Sequence, residues 1–149
     1  MPSKTLPVTQ REKVADRLHS AAIHLLRRVR KQDVLAGQGP ARLSALSVLV
    51  FGGPMTLGQL AAAEQVKPPT MTRIVAGLTR GGLAQTVTDP GDRRRIQIRA
   101  TPKGVRLLQA GRHRRIRYLA DHLKGLPEEE LSVLAAAADL LEKVLQRPS

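Results

Sequence analysis

The chain has 149 residues, a net charge of +13 and a pI of about 11.5. Hydrophobic residues make up 42%, which excludes a disordered polycation and suffices for one domain with its own core. The absence of cysteine excludes disulfides, thiolate metal sites and cysteine redox sensing.

Aromatics are limited to Phe51 and Tyr118, so the core must come from Leu, Val, Ile, Ala and Met, residues that suit a mostly helical fold. The positive charge is clustered: ten Lys or Arg residues and no acid lie between Arg93 and Arg117, whereas the stretch from Asp121 onward is mildly acidic. Clustered positive charge favours a polyanion, nucleic acid first and an anionic membrane second. No apolar run approaches a membrane span of roughly 20 residues, and the first ten residues lack the apolar centre of a signal peptide. The expectation is a cytoplasmic protein without a membrane partner.

Residues 1–8, with Pro2 and Pro7, are expected to be extended. Thr9 followed three residues later by Glu12 is a capping box that opens a long first helix. Val14, Leu18, Ala21, Ala22, Leu25 and Val29 form its apolar stripe, widened by Ile23 and Leu26, and basic residues crowd its end. Gly37-Gln38-Gly39-Pro40 ends it. A short second helix over Leu43–Phe51 reads as almost wholly buried and stops at Gly52-Gly53-Pro54. Met55 is expected to add one strand residue.

Thr56 and Gln59 make a second capping box, opening a third helix whose inner side is Leu57, Leu60 and Ala61. A turn over Glu64–Lys67 leads to a fourth helix with Pro68 at its first position and Met71, Ile74, Val75 and Leu78 as its buried stripe. Gly81-Gly82 ends it. Two β-prone runs, Leu83–Thr88 and Ile96–Ala100, flank a tip of Asp89-Pro90-Gly91-Asp92-Arg93-Arg94-Arg95 and read as a hairpin. Thr101-Pro102 opens a fifth helix, slightly weakened by Gly104 and Gly111. Pro127 is expected to start a sixth, with Glu128, Glu129 and Glu130 in its first turn. Its apolar positions cover more than half its circumference, which one neighbour does not explain; a second copy of the chain does.

Helix–turn–helix followed by a hairpin is a winged-helix arrangement. Its second helix offers Lys67, Pro69, Thr70, Thr72 and Arg73 to the major groove, with Arg73 able to contact guanine in bidentate fashion. Lys67, Arg80 and Arg42 are candidate phosphate contacts. At the tip, Arg94 is the candidate for a narrow minor groove, Arg93 and Arg95 for phosphates, and Asp92 for holding an arginine in place. Two plainer readings compete: a small module for protein contacts, and a nonspecific DNA-coating protein. The charge alone fits the second; a polar reading face argues against it.

His19, His24, His113 and His122 lack metal-pair spacing, so no metal site is expected. No motif for a nucleophile, a phosphate loop or a dinucleotide turn is present, so the chain does not read as an enzyme and implies no cofactor.

The stretch Thr56–Thr101, together with the long helices around it, resembles the MarR family of bacterial transcription regulators. The residues that carry the resemblance are VKPPTMTRIVAGLTRGGL and the wing Asp92-Arg93-Arg94 followed by IQIRATPKG. Two positions depart from the family pattern: Lys67 stands where a small capping residue is usual, and Ala100 where leucine is common. The resemblance implies a mostly α fold (α+β), a winged helix–turn–helix over 37–101 between dimerisation helices formed by 1–36 and 102–149. It further implies a homodimer on double-stranded DNA, a palindromic operator, repression by blocking a promoter, and relief by a small-molecule effector. The cleft for such an effector would be bounded by the first, second and fifth helices. His19, Ile23, Arg27, Phe51 and Arg115 are its candidate lining, although the same five residues read more simply as core and surface.

Overall fold

A computed structural model describes residues 9–146. The extended segment expected over residues 1–8 therefore lies outside the described residues. The elements in order are α1 (Gln10–Arg30), a 3₁₀ turn (Lys31–Ala36), α2 (Pro40–Gly52), α3 (Leu57–Ala63), α4 (Pro68–Arg80), β1 (Ala84–Thr88), β2 (Ile96–Ala100), α5 (Pro102–Leu123) and α6 (Glu128–Leu145). The fold is mostly helical with one small antiparallel sheet, as the sequence predicts. By internal contacts the chain falls into two compact units, one up to Arg115 and one from Ile116 onward.

The first unit holds the core. Ala45, Leu46 and Leu49 of α2, Leu60 and Ala61 of α3, and Met71, Val75 and Leu78 of α4 meet Leu83, Ala84 and Ile98 of the hairpin. Helices α2, α3 and α4 each bury one stripe because their apolar residues recur at helical spacing. Both expected capping boxes form: Thr9 accepts the Glu12 N–H, Thr56 accepts the Gln59 N–H, and each partner side chain returns a bond to the cap backbone. The second helix starts three residues earlier than expected, at Pro40, and it is not wholly buried. Phe51 is 83% exposed, because the inward stripe runs through Ala45, Leu46 and Leu49 and Phe51 falls off it.

The hairpin pairs Ala84 with Ala100 and Thr88 with Ile96. Met55 joins its outer side, exchanging backbone bonds with Ile98 at 3.1 and 2.8 Å, so it adds the single strand residue expected of it. Ile98 thus has Thr86 on one side and Met55 on the other.

The junction between α4, the hairpin and α5 is tightly built. Gly82 takes φ +68°, the Gly82 N–H donates to Thr79 O at 3.0 Å and the Leu83 N–H to Leu78 O at 2.9 Å. This is a Schellman ending, and it turns the chain from helix into strand. Thr101 then fastens the start of α5 to that ending. Its backbone N–H donates to Leu83 O at 2.9 Å, its hydroxyl to Gly82 O at 2.6 Å, and its Oγ1 accepts the Gly104 N–H at 3.1 Å. Lys103 Nζ adds a bond to Gly81 O at 3.0 Å.

Gly104, read from sequence as a weak point, is a requirement here. A Cβ at this position would overlap the Leu83 carbonyl oxygen and lie 3.0 Å from Leu46 Cδ1. Only glycine lets α5 approach so closely.

In the second unit, α6 is capped by Pro127, one position outside the helix rather than at its first residue as expected. Glu128, Glu129 and Glu130 occupy the first turn, where the helix dipole favours acids. No residue of α6 is buried, and Val133, Leu140, Val144 and Leu145 are each more than half exposed.

Candidate nucleic-acid interface

The turn between α3 and α4 is made by Glu64, Gln65 and Val66. Gln65 takes φ +54°, its N–H donates to Ala62 O at 3.1 Å, and the Val66 N–H donates to Ala61 O at 3.0 Å. This is again a Schellman-type ending, now with glutamine in the left-handed position that glycine or asparagine usually fills. It carries the chain into α4.

Lys67 caps α4 with extended backbone (φ −73°, ψ 148°) and makes no side-chain capping bond. The usual cost of a missing cap is reduced here. Pro68 and Pro69 have no N–H, so two of the orphan donors of a helix start do not exist, and Thr70 supplies the first one inside the helix. Lys67 therefore needs no small polar residue in its place, and its ammonium stays exposed beside the helix end.

Met71, Val75, Gly77 and Leu78 bury the inner face of α4. Pro69, Thr70, Thr72, Arg73 and Ala76 are all exposed, on the opposite side. The five recognition-helix candidates thus share one end of one helix: four at its exposed face and Lys67 at its cap. The Thr72 hydroxyl donates to Pro68 O at 3.0 Å, so its proton is already committed within the helix. Arg42 behaves differently from the phosphate contact expected of it. It is half-buried, its guanidinium lies over Gly77 so that a Cβ there would overlap it, and Nη1 donates to Gln38 Oε1 at 3.4 Å. It serves to hold α2 against α4. Arg80 remains exposed in the last turn of α4.

At the hairpin tip, Asp89, Asp92, Arg93, Arg94 and Arg95 organise the turn. The Asp89 N–H donates to Arg95 O at 2.8 Å, and the Arg95 N–H to Asp92 O at 2.9 Å. Asp89 Oδ1 accepts the Gly91 N–H at 2.8 Å and its Oδ2 accepts Gln97 Nε2 at 3.3 Å, while Asp92 Oδ1 accepts the Arg94 N–H at 3.0 Å. Asp92 was expected to clamp an arginine side chain. Instead its carboxylate accepts a backbone N–H two residues on, a local turn bond that aspartate makes readily. The three arginines are exposed, and among the described residues the only salt bridges are Arg115–Asp33 and Lys124–Asp121. The acids shape the loop and leave the guanidinium groups without an internal counter-charge.

A cavity of about 580 Å³ lies elsewhere in the first unit, lined by residues of α1, the 3₁₀ turn, α2 and α5. Leu26, Val29, Leu43, Leu107 and Leu108 make its apolar wall, and Ser44, Ser47 and Arg30 are polar groups in it. Arg115 and Asp33 also line it and pair at 2.5 Å. Of the five lining candidates named from sequence, Arg115 lines this cavity, Ile23 and Arg27 line a shallower hollow beside α1, and His19 and Phe51 line neither. Sequence reasoning missed Asp33, Ser44 and Ser47. Asp33 pairs with a residue 82 positions away, and no local pattern signals that. No group of three or more metal-ligating side chains occurs among the described residues.

Comparison with known proteins adds independent information. A family model described as MarR family matches residues 37–95. An HTH-type transcriptional regulator of Mycobacterium bovis, named as uncharacterized, is 35% identical over 129 residues, or 87% of this chain and 90% of that protein. A transcriptional regulator from Thermotoga maritima superposes with a TM-score of 0.81 at 25% identity, covering 91% of this chain and 96% of that one. A mutant of MepR from Staphylococcus aureus, solved bound to an oligodeoxyribonucleotide, shares the fold with a TM-score of 0.69 at 20% identity, covering 89% and 98% of the two chains.

Proposed function

This chain belongs to the MarR family of helix–turn–helix transcriptional regulators, and we propose that it acts as a homodimer, binding a palindromic DNA operator and repressing by occluding a promoter. It regulates transcription and is not an enzyme. In this reading Lys67, Pro69, Thr70, Thr72 and Arg73 meet the major groove, while Asp92 shapes a wing whose Arg93, Arg94 and Arg95 reach phosphates and the neighbouring minor groove. The MepR mutant of the same fold, held on an oligodeoxyribonucleotide, supports DNA as the partner. Residues 37–101 form the DNA-binding part; 1–36 and 102–149 form the dimerisation part. The site of action is the cytoplasm, and none of the described helices is long and apolar enough to cross a membrane.

The observation that carries the reading is the pairing of two exposed features in one unit: the outer face of α4, and a wing tip whose arginines have no carboxylate partner among the described residues. The dimer is supported by apolar side chains left in solvent. Val14, Leu18, Leu25 and Leu26 of α1 and Leu134, Leu140, Leu141 and Val144 of α6 are each at least 38% exposed, and exposed apolar side chains gathered along one element mark a surface for a partner. A small-molecule effector would occupy the cavity beside Arg115, with loss of DNA binding on capture.

The deciding experiment selects genomic fragments bound by the full chain and competes the best of them against bulk DNA at physiological salt. A preference of about 10³ or more is expected of a specific regulator. Equal binding to both would favour the DNA-coating alternative. Light scattering of the full chain should give a dimer, and Leu134→Glu with Leu141→Glu should shift it toward monomer; an unchanged mass would remove α6 from the interface.

A further inference from the structure

Resting on the reading of α4 as the groove-facing helix, we infer that this regulator reads A·T pairs through the 5-methyl group of thymine. Thr72 and Ala76 would be the principal sensors, and Arg73 the only charged reader of a base's polar edge on the helix.

Helix α4 lacks the side chains that usually read adenine and cytosine. Its sequence, PPTMTRIVAGLTR, contains no Asn, Gln, Asp, Glu, Lys, His or aromatic residue. Adenine is read in the major groove by a bidentate Asn or Gln, and cytosine by an acceptor such as Asp or Glu. Neither chemistry exists on this helix. Guanine is read by Arg or Lys, which Arg73 supplies, while Arg80 stands in the last turn, far from the end that enters the groove.

What α4 does present is carbon. Pro69 offers ring methylenes, Ala76 a methyl, and Thr70 and Thr72 a methyl each, all on the exposed side. Thr72 is the most constrained of these. Its hydroxyl proton is held by Pro68 O at 3.0 Å, so it cannot donate to a base acceptor without giving up that bond. Fixing the hydroxyl also fixes the rotamer, so the methyl is held in one orientation. The backbone supplies little in compensation, because Pro68 and Pro69 carry no N–H. With no amide side chain to engage adenine in bidentate fashion, apolar contact between a Thr or Ala methyl and the thymine methyl, beside the single hydroxyl of Thr70, is the major-groove chemistry α4 offers A·T pairs.

The prediction separates from the wing by groove. The thymine methyl projects only into the major groove, so an arginine in the minor groove does not sense it.

The test uses the full chain and the fragment selected above, prepared with deoxyuridine in place of thymidine in the half-sites covered by α4. That exchange removes the methyl and keeps Watson–Crick pairing. Burial of one methyl-sized group is worth about 0.8 kcal/mol, or about fourfold in affinity, and roughly fifteenfold over two symmetric half-sites. Thr72→Ser keeps the hydroxyl and its bond to Pro68 O but loses the methyl. It should bind the thymidine fragment more weakly by a similar factor and lose much of its discrimination against deoxyuridine. Thr72→Val, which keeps two methyls, should retain discrimination.

Equal binding of the thymidine and deoxyuridine fragments by the unsubstituted chain overturns the inference. So does a deoxyuridine penalty that is the same in the unsubstituted chain, Thr72→Ser and Ala76→Gly, because the methyl would then act through DNA stiffness. Failure to select any preferred fragment sinks the operator-binding reading itself, and this inference with it.

Discussion

Two glycines on α5 make contrasting predictions when each is replaced by alanine. At Gly104 the new methyl would run into the Leu83 carbonyl oxygen and come within 3.0 Å of Leu46 Cδ1, and Leu46 is fully buried and has no room to retreat. Forcing a carbon into such a contact costs about 1–3 kcal/mol. The relief open to the chain is to lift α5 off the junction. That stretches the Thr101 N–H bond to Leu83 O and the Thr101 hydroxyl bond to Gly82 O, each worth about 1 kcal/mol. Alanine returns about 1 kcal/mol through its better helix propensity. The net expectation is a loss of about 2–4 kcal/mol.

At Gly111 a Cβ meets no backbone, only side-chain ends: Arg115 Nη1, which pairs with Asp33, at 3.3 Å and Arg114 Nη2 at 3.6 Å. Gly111→Ala should therefore fall within about 1 kcal/mol of neutral, the helix propensity gained being set against a small shift of the Arg115 guanidinium. Urea unfolding at one fixed protein concentration measures both, the concentration being held because the midpoint of any self-associating chain depends on it. With a slope of about 1–3 kcal/mol per molar, Gly104→Ala should lower the midpoint by roughly 1–2 M. If Gly104→Ala lies within about 0.5 kcal/mol of the parent chain, or if Gly111→Ala costs as much, the close-approach reasoning is wrong.

Four further outcomes are expected. Arg94→Ala should weaken operator binding about tenfold, with a smaller loss on sites of wide minor groove; a uniform loss, measured by titration over a series of sites, would make it a phosphate contact only. Arg73→Ala should relax preference at one base position by about 1–3 kcal/mol, read by repeating the fragment selection, and unchanged preference would remove it from base reading. Gln65→Gly, at φ +54°, should raise stability by about 1 kcal/mol in urea, since glycine carries no Cβ penalty in the left-handed region; a loss would indicate that the glutamine side chain holds the turn. Glu12 has its carboxyl held below its ordinary value of 4.5, first by the Thr9 backbone N–H and then by the Thr9 side chain. A depressed folded-state value means that the support is full above 4.5 and is lost as pH falls through the lowered value. Fraying of the start of α1 on acidification, followed by amide exchange, should be absent in Glu12→Gln.

Much of this was legible because it is local. A capping box needs residues three apart, and both Thr9–Glu12 and Thr56–Gln59 close as their spacing predicts. The fourth helix and the hairpin likewise follow from a proline start, a glycine pair and two β-prone runs. What the sequence hid depends on partners it does not place side by side. Gly104 looks like a flaw until Leu83, 21 residues earlier, is seen against it. Asp92 sits beside arginines, and its backbone partner two residues on is just as near in sequence, so composition favoured the wrong bond. Phe51 is apolar and stands near the end of an apolar helix, yet the three-dimensional stripe passes it by. The lining of the cavity comes from four elements, and only one of the five residues named from sequence, Arg115, is among its walls.

The fastening at Thr101 has a mechanical corollary. One side chain and its own backbone grip the last turn of the groove-facing helix and the foot of the arginine finger, and they do so from the first residue before α5. A twist entering along α5 meets no joint there at which to dissipate. Helix and finger must yield as one plate, or the grip must break. Their mutual offset is thereby conserved, and with it the spacing between the two grooves that the proposed contacts would span.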